Sequence, residues 1–176
     1  MRILVALDGS PLAEHALEVI GPMASQTKSE VVLLTVLDPG DIHATAAEWG
    51  HRVPDFDQSI ARSAMRGAIA EPPRALAEDR GQAMTAARNA AEDAMRAAAE
   101  KWLPEGLRWS VHVEWSGDTV AAIADYAATQ KASLVAVGAH GRSGLSEVLL
   151  GSVTTGLVRK SSVPLIVIGH DMKRVG

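Results

Sequence analysis

The sequence predicts an α/β fold: an open, five-stranded parallel sheet with helices on both faces, formed by a single domain. Two observations carry that expectation. Short, continuous apolar runs recur at Ile3–Leu7, Val31–Leu37, Leu134–Val137 and Pro164–Ile168, and unbroken apolarity suits strands covered on both faces. Segments with helical spacing separate these runs, and strands that alternate with helices pair in parallel through crossovers.

Taken in order, Ile3–Leu7 stops at Asp8-Gly9-Ser10-Pro11, where Ser10 suits a helix N-cap and Pro11 the first helical position. Leu12, Ala16, Leu17 and Ile20 then recur at helical spacing. Gly21-Pro22 weakens or kinks this helix without having to end it, because Met23 and Ala24 continue its apolar face. Val31–Leu37 is the second strand and ends at Asp38-Pro39-Gly40. From Asp38 to about Arg80 the pattern breaks down around Pro54, Pro72 and Pro73. That stretch is too long for an ordinary loop and reads as a variable, partly helical insertion, with a short helix near Ser59–Ala70.

Gln82–Trp102, rich in Ala, Glu and Arg, is a helix closed by Leu103-Pro104, with Arg88, Arg96 and the acids between them on its solvated face. Trp109, Val111, Val113 and Trp115 alternate with Ser110, His112 and Glu114, the signature of a half-exposed strand with both tryptophans packing on one side. Gly117-Asp118-Thr119 opens a helix that buries Val120, Ile123, Ala124 and Ala127. Leu134–Val137 is the fourth strand, a helix from about Ser152 to Lys160 follows, and Pro164–Ile168 is the fifth.

Composition narrows the function classes. The 176 residues, 47% of them hydrophobic but only 3% aromatic, can build one core from Val, Leu, Ile, Ala and Met. A net charge of −4, with no basic cluster longer than Arg159-Lys160, argues against a nucleic-acid partner. No cysteine is present, which excludes disulfide scaffolds, thiol catalysis and Cys-type zinc sites. The first apolar run is too short for a secretion signal, and no run of about 18 apolar residues exists, so neither export nor a membrane partner is expected. The expected location is the cytoplasm.

The most informative segment is Gly138-Ala139-His140-Gly141, with Gly151-Ser152 nine residues further on. A strand that runs into a glycine-containing loop and then a hydroxyl-headed helix is a natural phosphate cradle. Glycine admits close backbone approach, and free N–H groups at a helix start point at anions. Competing signatures are absent: the chain has no G-x-x-x-x-G-K-[ST], no dinucleotide fingerprint in the first strand-to-helix turn, no H-E-x-x-H and no G-x-S-x-G. Ligands of open parallel sheets lie beyond the carboxyl ends of the strands, and three such ends carry polar or glycine residues: Asp8-Gly9-Ser10, Asp38-Pro39-Gly40 and Gly138–Gly141.

The pattern Gly138-x2-Gly141-x9-Gly151-Ser152, with Val5–Ser10 at the start and Val163–Ile168 at the end, closely resembles the universal stress protein family. The likeness covers nearly the whole chain apart from the 38–80 insertion. It implies the sheet order 3-2-1-4-5 and, because every element of the glycine pattern is retained, the ATP-binding branch of the family. On matched positions it places Asp8 at the ribose or a bridging metal, and Ala6 and the backbone of Val36 around the adenine. Val137, Gly138, His140 and Gly141 would line the ribose and phosphates. Gly151, Ser152, Val153 and Thr154 would hold phosphates through N–H and hydroxyl groups.

The implied ligand is thus ATP with Mg2+. A carboxylate such as Asp8 repels phosphate and makes sense only facing ribose hydroxyls or the cation. The resemblance also implies a homodimer through Val163–Ile168, an apolar edge that Pro164 suits, and leaves any protein partner open. The role that follows is a nucleotide-dependent regulatory module in stress response. Two alternatives stand beside it. A slow ATPase or phosphoryl-transfer enzyme would draw on His140, Arg142 and Glu147, none at a diagnostic spacing. An interaction dimer would work through the insertion, whose His43 and His51 lack a metal-ligand spacing.

Overall fold

The computed structural model describes residues 1–40, 74–139 and 150–169, with the backbone alone at 11–12 and 74–79. The element order is β1 (Arg2–Ala6), α1 (Pro11–Gln26), β2 (Glu30–Leu37), α2 (Arg74–Trp102), β3 (Trp109–Trp115), α3 (Thr119–Thr129), β4 (Leu134–Gly138), α4 (Ser152–Lys160) and β5 (Leu165–Ile168). The five strands form one sheet in the order β3-β2-β1-β4-β5, and every neighbouring pair is parallel. Expected class, strand number and order all match. The proposed helix at Ser59–Ala70, together with His43 and His51, lies outside the described residues.

Alternation along the strands builds two cores. Ile3, Val5, Val31 and Leu33 point to one face, where α1 contributes Ala16, Leu17 and Ile20 and α2 contributes Ala87, Ala91 and Met95. Leu4, Val32, Leu34, Val135 and Val137 point to the other, under Ile123 and Ala127 of α3 and Leu157 of α4. Both faces of β1 are therefore buried, which is why its sequence reads as unbroken apolar residues.

Of two boundaries in doubt, the end of α1 is compatible with the sequence reading and the start of α2 differs from it. Helix α1 runs through Pro22 to Gln26. Gly21 is demanded by packing: a Cβ there would lie 2.8 Å from Pro104 Cδ, where the end of α2 crosses α1. Helix α2 begins at Arg74 rather than near Gln82, so it takes over the last part of the segment read as insertion. Pro72-Pro73 was taken to break the pattern, yet proline directly ahead of a helix also suits its start. Arg80 Nη2 donates to the carbonyl of Pro39 at 3.1 Å and fastens this end of α2 to the exit of β2.

Candidate functional site

Strand β1 is flanked by β2 on one side and β4 on the other. The chain leaves β1 into α1 on the first face and leaves β4 towards α4 on the second. The carboxyl ends of β1 and β4 are thus the point where strand order reverses, the place at which open parallel sheets take ligands.

On the β1 side, Leu7 N–H donates to the carbonyl of Leu34 at 2.9 Å, carrying the ladder one residue past the strand. Gly9 then turns the chain at φ +77°, a backbone conformation that other residues rarely adopt. Asp8 Oδ1 accepts from Ser10 N–H at 3.0 Å, and Ser10 Oγ accepts from Ala13 N–H at 3.2 Å, capping α1 as its sequence predicts. Half-buried Asp8 thus stands just past the carboxyl end of β1. Its carboxylate has a second oxygen with which to meet hydroxyls or a cation.

On the β4 side, three hydrogen bonds fix the backbone. Ala139 N–H donates to Ile168 O at 2.7 Å, and Gly151 N–H donates to Ala139 O at 2.9 Å. Thr154 Oγ1 donates to Gly138 O at 2.9 Å. The first turn of α4 is thereby held against the end of β4. Helices α1 and α3 have side-chain caps, from Ser10 and Asp118, whereas α4 starts at Gly151 with no side-chain cap hydrogen bond among the described residues. Its first-turn N–H groups, the positive end of the helix, are the natural place for an anion.

The remaining predicted residues fall into a coherent pattern. Ala6 stands in register with Val137, and both share the α3/α4 face with Val36 and Val153. Val137 is buried, while Ala6, Val36 and Val153 are half-buried and pack against the core of that face. Ser152 is exposed at the helix start, but Thr154 is 3% exposed with its hydroxyl turned to Gly138. His140, Gly141, Arg142 and Glu147 lie outside the described residues. The bonds that Ala139 and Thr154 make were not foreseen. A hydroxyl at the third position of a helix that follows a strand was the one available signal for the latter.

One strand further out, Glu114 is the register partner of Val36. His112 Nε2 and Glu114 Oε1 lie 2.9 Å apart, and the His112 ring stacks on Tyr126 with centroids 4.6 Å apart. Burial pushes the Tyr126 phenol above its ordinary pKa; the Glu114 and Glu30 carboxylates push the same way, against the Arg2 guanidinium. Among the described residues no group of three or more His, Asp or Glu side chains is placed to hold a metal ion by itself. No helix among them is long and apolar enough to cross a membrane.

The sequence profile of the Universal stress protein family matches residues 1–169. Universal stress protein YxiE of Bacillus subtilis is 25% identical over 167 residues, covering 95% of this chain and 97% of that one. Universal stress protein UspA from Lactobacillus plantarum superposes with a TM-score of 0.61 at 20% identity, covering 96% of this chain and 97% of that one. A universal stress protein solved in complex with cAMP superposes with a TM-score of 0.52 at 20% identity, covering 96% of each chain.

Proposed function

Because the chain belongs to the universal stress protein family, we propose that the carboxyl ends of β1 and β4 hold an adenine nucleotide, ATP with Mg2+. The observation that carries the reading is the α4 N-terminus, which has no side-chain cap among the described residues and is tied through Gly151 and Thr154 to the end of β4. Phosphates meet the N–H groups of Ser152, Val153 and Thr154 and the exposed Ser152 hydroxyl. Ribose and cation meet Asp8, and the base lies on Ala6 and Val36. The donor set fits Mg2+ in the way usual for nucleotide sites, one protein carboxylate plus the phosphates of the ligand. The cation would supply charge neutralisation to the bound phosphates. The cAMP complex of a universal stress protein supports an adenine nucleotide as the ligand class.

On this reading the protein is a cytoplasmic, nucleotide-dependent regulatory module of stress response. Calorimetry with ATP and Mg2+ tests it. Saturable binding that weakens without Mg2+ is expected, and no binding at millimolar ATP defeats it.

A homodimer through Val163–Ile168 goes with this role. Strand β5 lies at the sheet edge, its Leu165, Ile166 and Val167 are only half-buried, and Val158 of neighbouring α4 is 59% exposed. Such an apolar edge suits pairing with a second copy. Sedimentation at micromolar concentration is expected to give the mass of two chains; a monomer defeats it.

A further inference from the structure

Thr154 stands third in α4, where a side chain next to bound phosphate would be expected to touch it. Its geometry gives it another task. A hydroxyl has one proton to donate, and Thr154 gives that proton to Gly138 O at 2.9 Å from a position 3% exposed. Phosphate oxygens at neutral pH need donors, so this hydroxyl has nothing left to offer them. Ser152, exposed one turn-edge earlier, is differently placed.

The Gly138 carbonyl explains what the bond does. It is the last carbonyl of β4, and α4 packs its first turn directly against it. Deprived of the hydroxyl, that oxygen would be a half-buried acceptor without its partner, beside a helix start with no side-chain cap among the described residues. The N–H groups of that helix start are its obvious replacement donors. The strand end would then cap the helix and occupy the donors that an anion requires.

We propose that Thr154 is a positioning residue for the nucleotide: by engaging the Gly138 carbonyl it keeps the α4 first turn open for phosphate. The bond from Gly151 N–H to Ala139 O, 2.9 Å, is the second half of the same clamp. The inference rests on the nucleotide reading above, and it goes beyond that reading in taking the Thr154 hydroxyl, though not its N–H, out of the set of groups that touch the ligand.

The test compares Thr154→Val, which keeps the shape and removes the proton, with Thr154→Ser, which restores it. Calorimetry would use Mg2+-ATP and, as a ligand without phosphate, adenosine. Thr154→Val is expected to weaken Mg2+-ATP by about tenfold or more, with adenosine unchanged and Thr154→Ser close to wild type. In the ligand-free protein, amide hydrogen exchange at Gly151 is expected to quicken in Thr154→Val and not in Thr154→Ser. Wild-type affinity in Thr154→Val, equal losses in both variants, or unaltered Gly151 exchange would each overturn the proposal. Wild-type protein that binds no ATP would instead overturn the nucleotide reading itself.

Discussion

Gly156 of α4 lies so close to Val120 of α3 that a Cβ at position 156 would stand 2.6 Å from Val120 Cγ2 and 3.0 Å from Cγ1. The two helices cover the same sheet face, and the missing side chain is what lets them approach. Gly156→Ala is expected to destabilise the fold by about 1–3 kcal/mol through overpacking. Val120→Ala removes the obstructing methyls. Urea denaturation of both single variants and the double variant should show the double variant losing less than the sum; strict additivity would contradict the contact.

Lys28 and Lys131 occupy equivalent places, two residues past the ends of α1 and α3, at φ +52° and +51°. Each helix closes with the same bonds: Ser29 N–H to Ala24 O and Ala132 N–H to Ala127 O, at 2.8 and 2.9 Å. Glycine is the usual residue for this left-handed closing position. Lys28→Gly and Lys131→Gly are each expected to stabilise the protein by about 0.5–1 kcal/mol, while Lys→Ala at either site should give no gain. Denaturation midpoints of the four variants decide it.

Tyr126 gives a pH dependence with a definite sign. Its phenol titrates above the ordinary value, first because burial disfavours the phenolate and then because Glu114 and Glu30 repel it. A group whose pKa is raised by folding contributes stability that is complete below its unfolded value, about 10. That contribution is lost as pH rises through the folded value. Stability is therefore expected to fall on the alkaline side more steeply in wild type than in Tyr126→Phe, with no difference between them near neutrality. Because Tyr126 is the single tyrosine of the chain, phenolate absorbance reports its titration directly.

Asp8 separates the structural from the binding role of one carboxylate. Asp8→Asn keeps an oxygen to accept from Ser10 N–H, so the turn into α1 and the melting temperature should be preserved. The charge that would face Mg2+ is lost. Affinity for Mg2+-ATP is expected to fall by about tenfold, and the difference between titrations with and without Mg2+ should shrink. Unchanged Mg2+ dependence would remove Asp8 from the site.

Local chemistry made most of the frame readable from sequence. Ser10-Pro11 announces α1, Gly151-Ser152 announces α4, and the unbroken run Ile3–Leu7 announces a strand covered on both faces. The carboxyl ends of the strands were readable because Asp8-Gly9-Ser10, Asp38-Pro39-Gly40 and Gly138 close their apolar runs. What escaped depends on distant partners. Gly156 looks like an ordinary helical glycine until Val120 is placed against it, and Gly21 until Pro104 is. The bond of the Thr154 hydroxyl to the Gly138 carbonyl cannot be read until the end of β4 is placed against α4. The early start of α2 at Arg74 was hidden because Pro72-Pro73 signals a break and a beginning alike.

The central position of β1 has a consequence for how the molecule is made. The strand synthesised first needs neighbours on both sides, and Ile3 finds one in Val31 but the other only in Leu134. On the ribosome, β1 and β2 can pair long before β4 emerges, and β3 can join them ahead of it. Until then the far side of β1 is an open template for foreign strands. Such late, long-range closure is slow. The nascent chain is therefore most exposed to aggregation during the interval in which residues beyond β3 are being added, and a synonymous or chaperone-dependent delay there should lower the yield of folded protein.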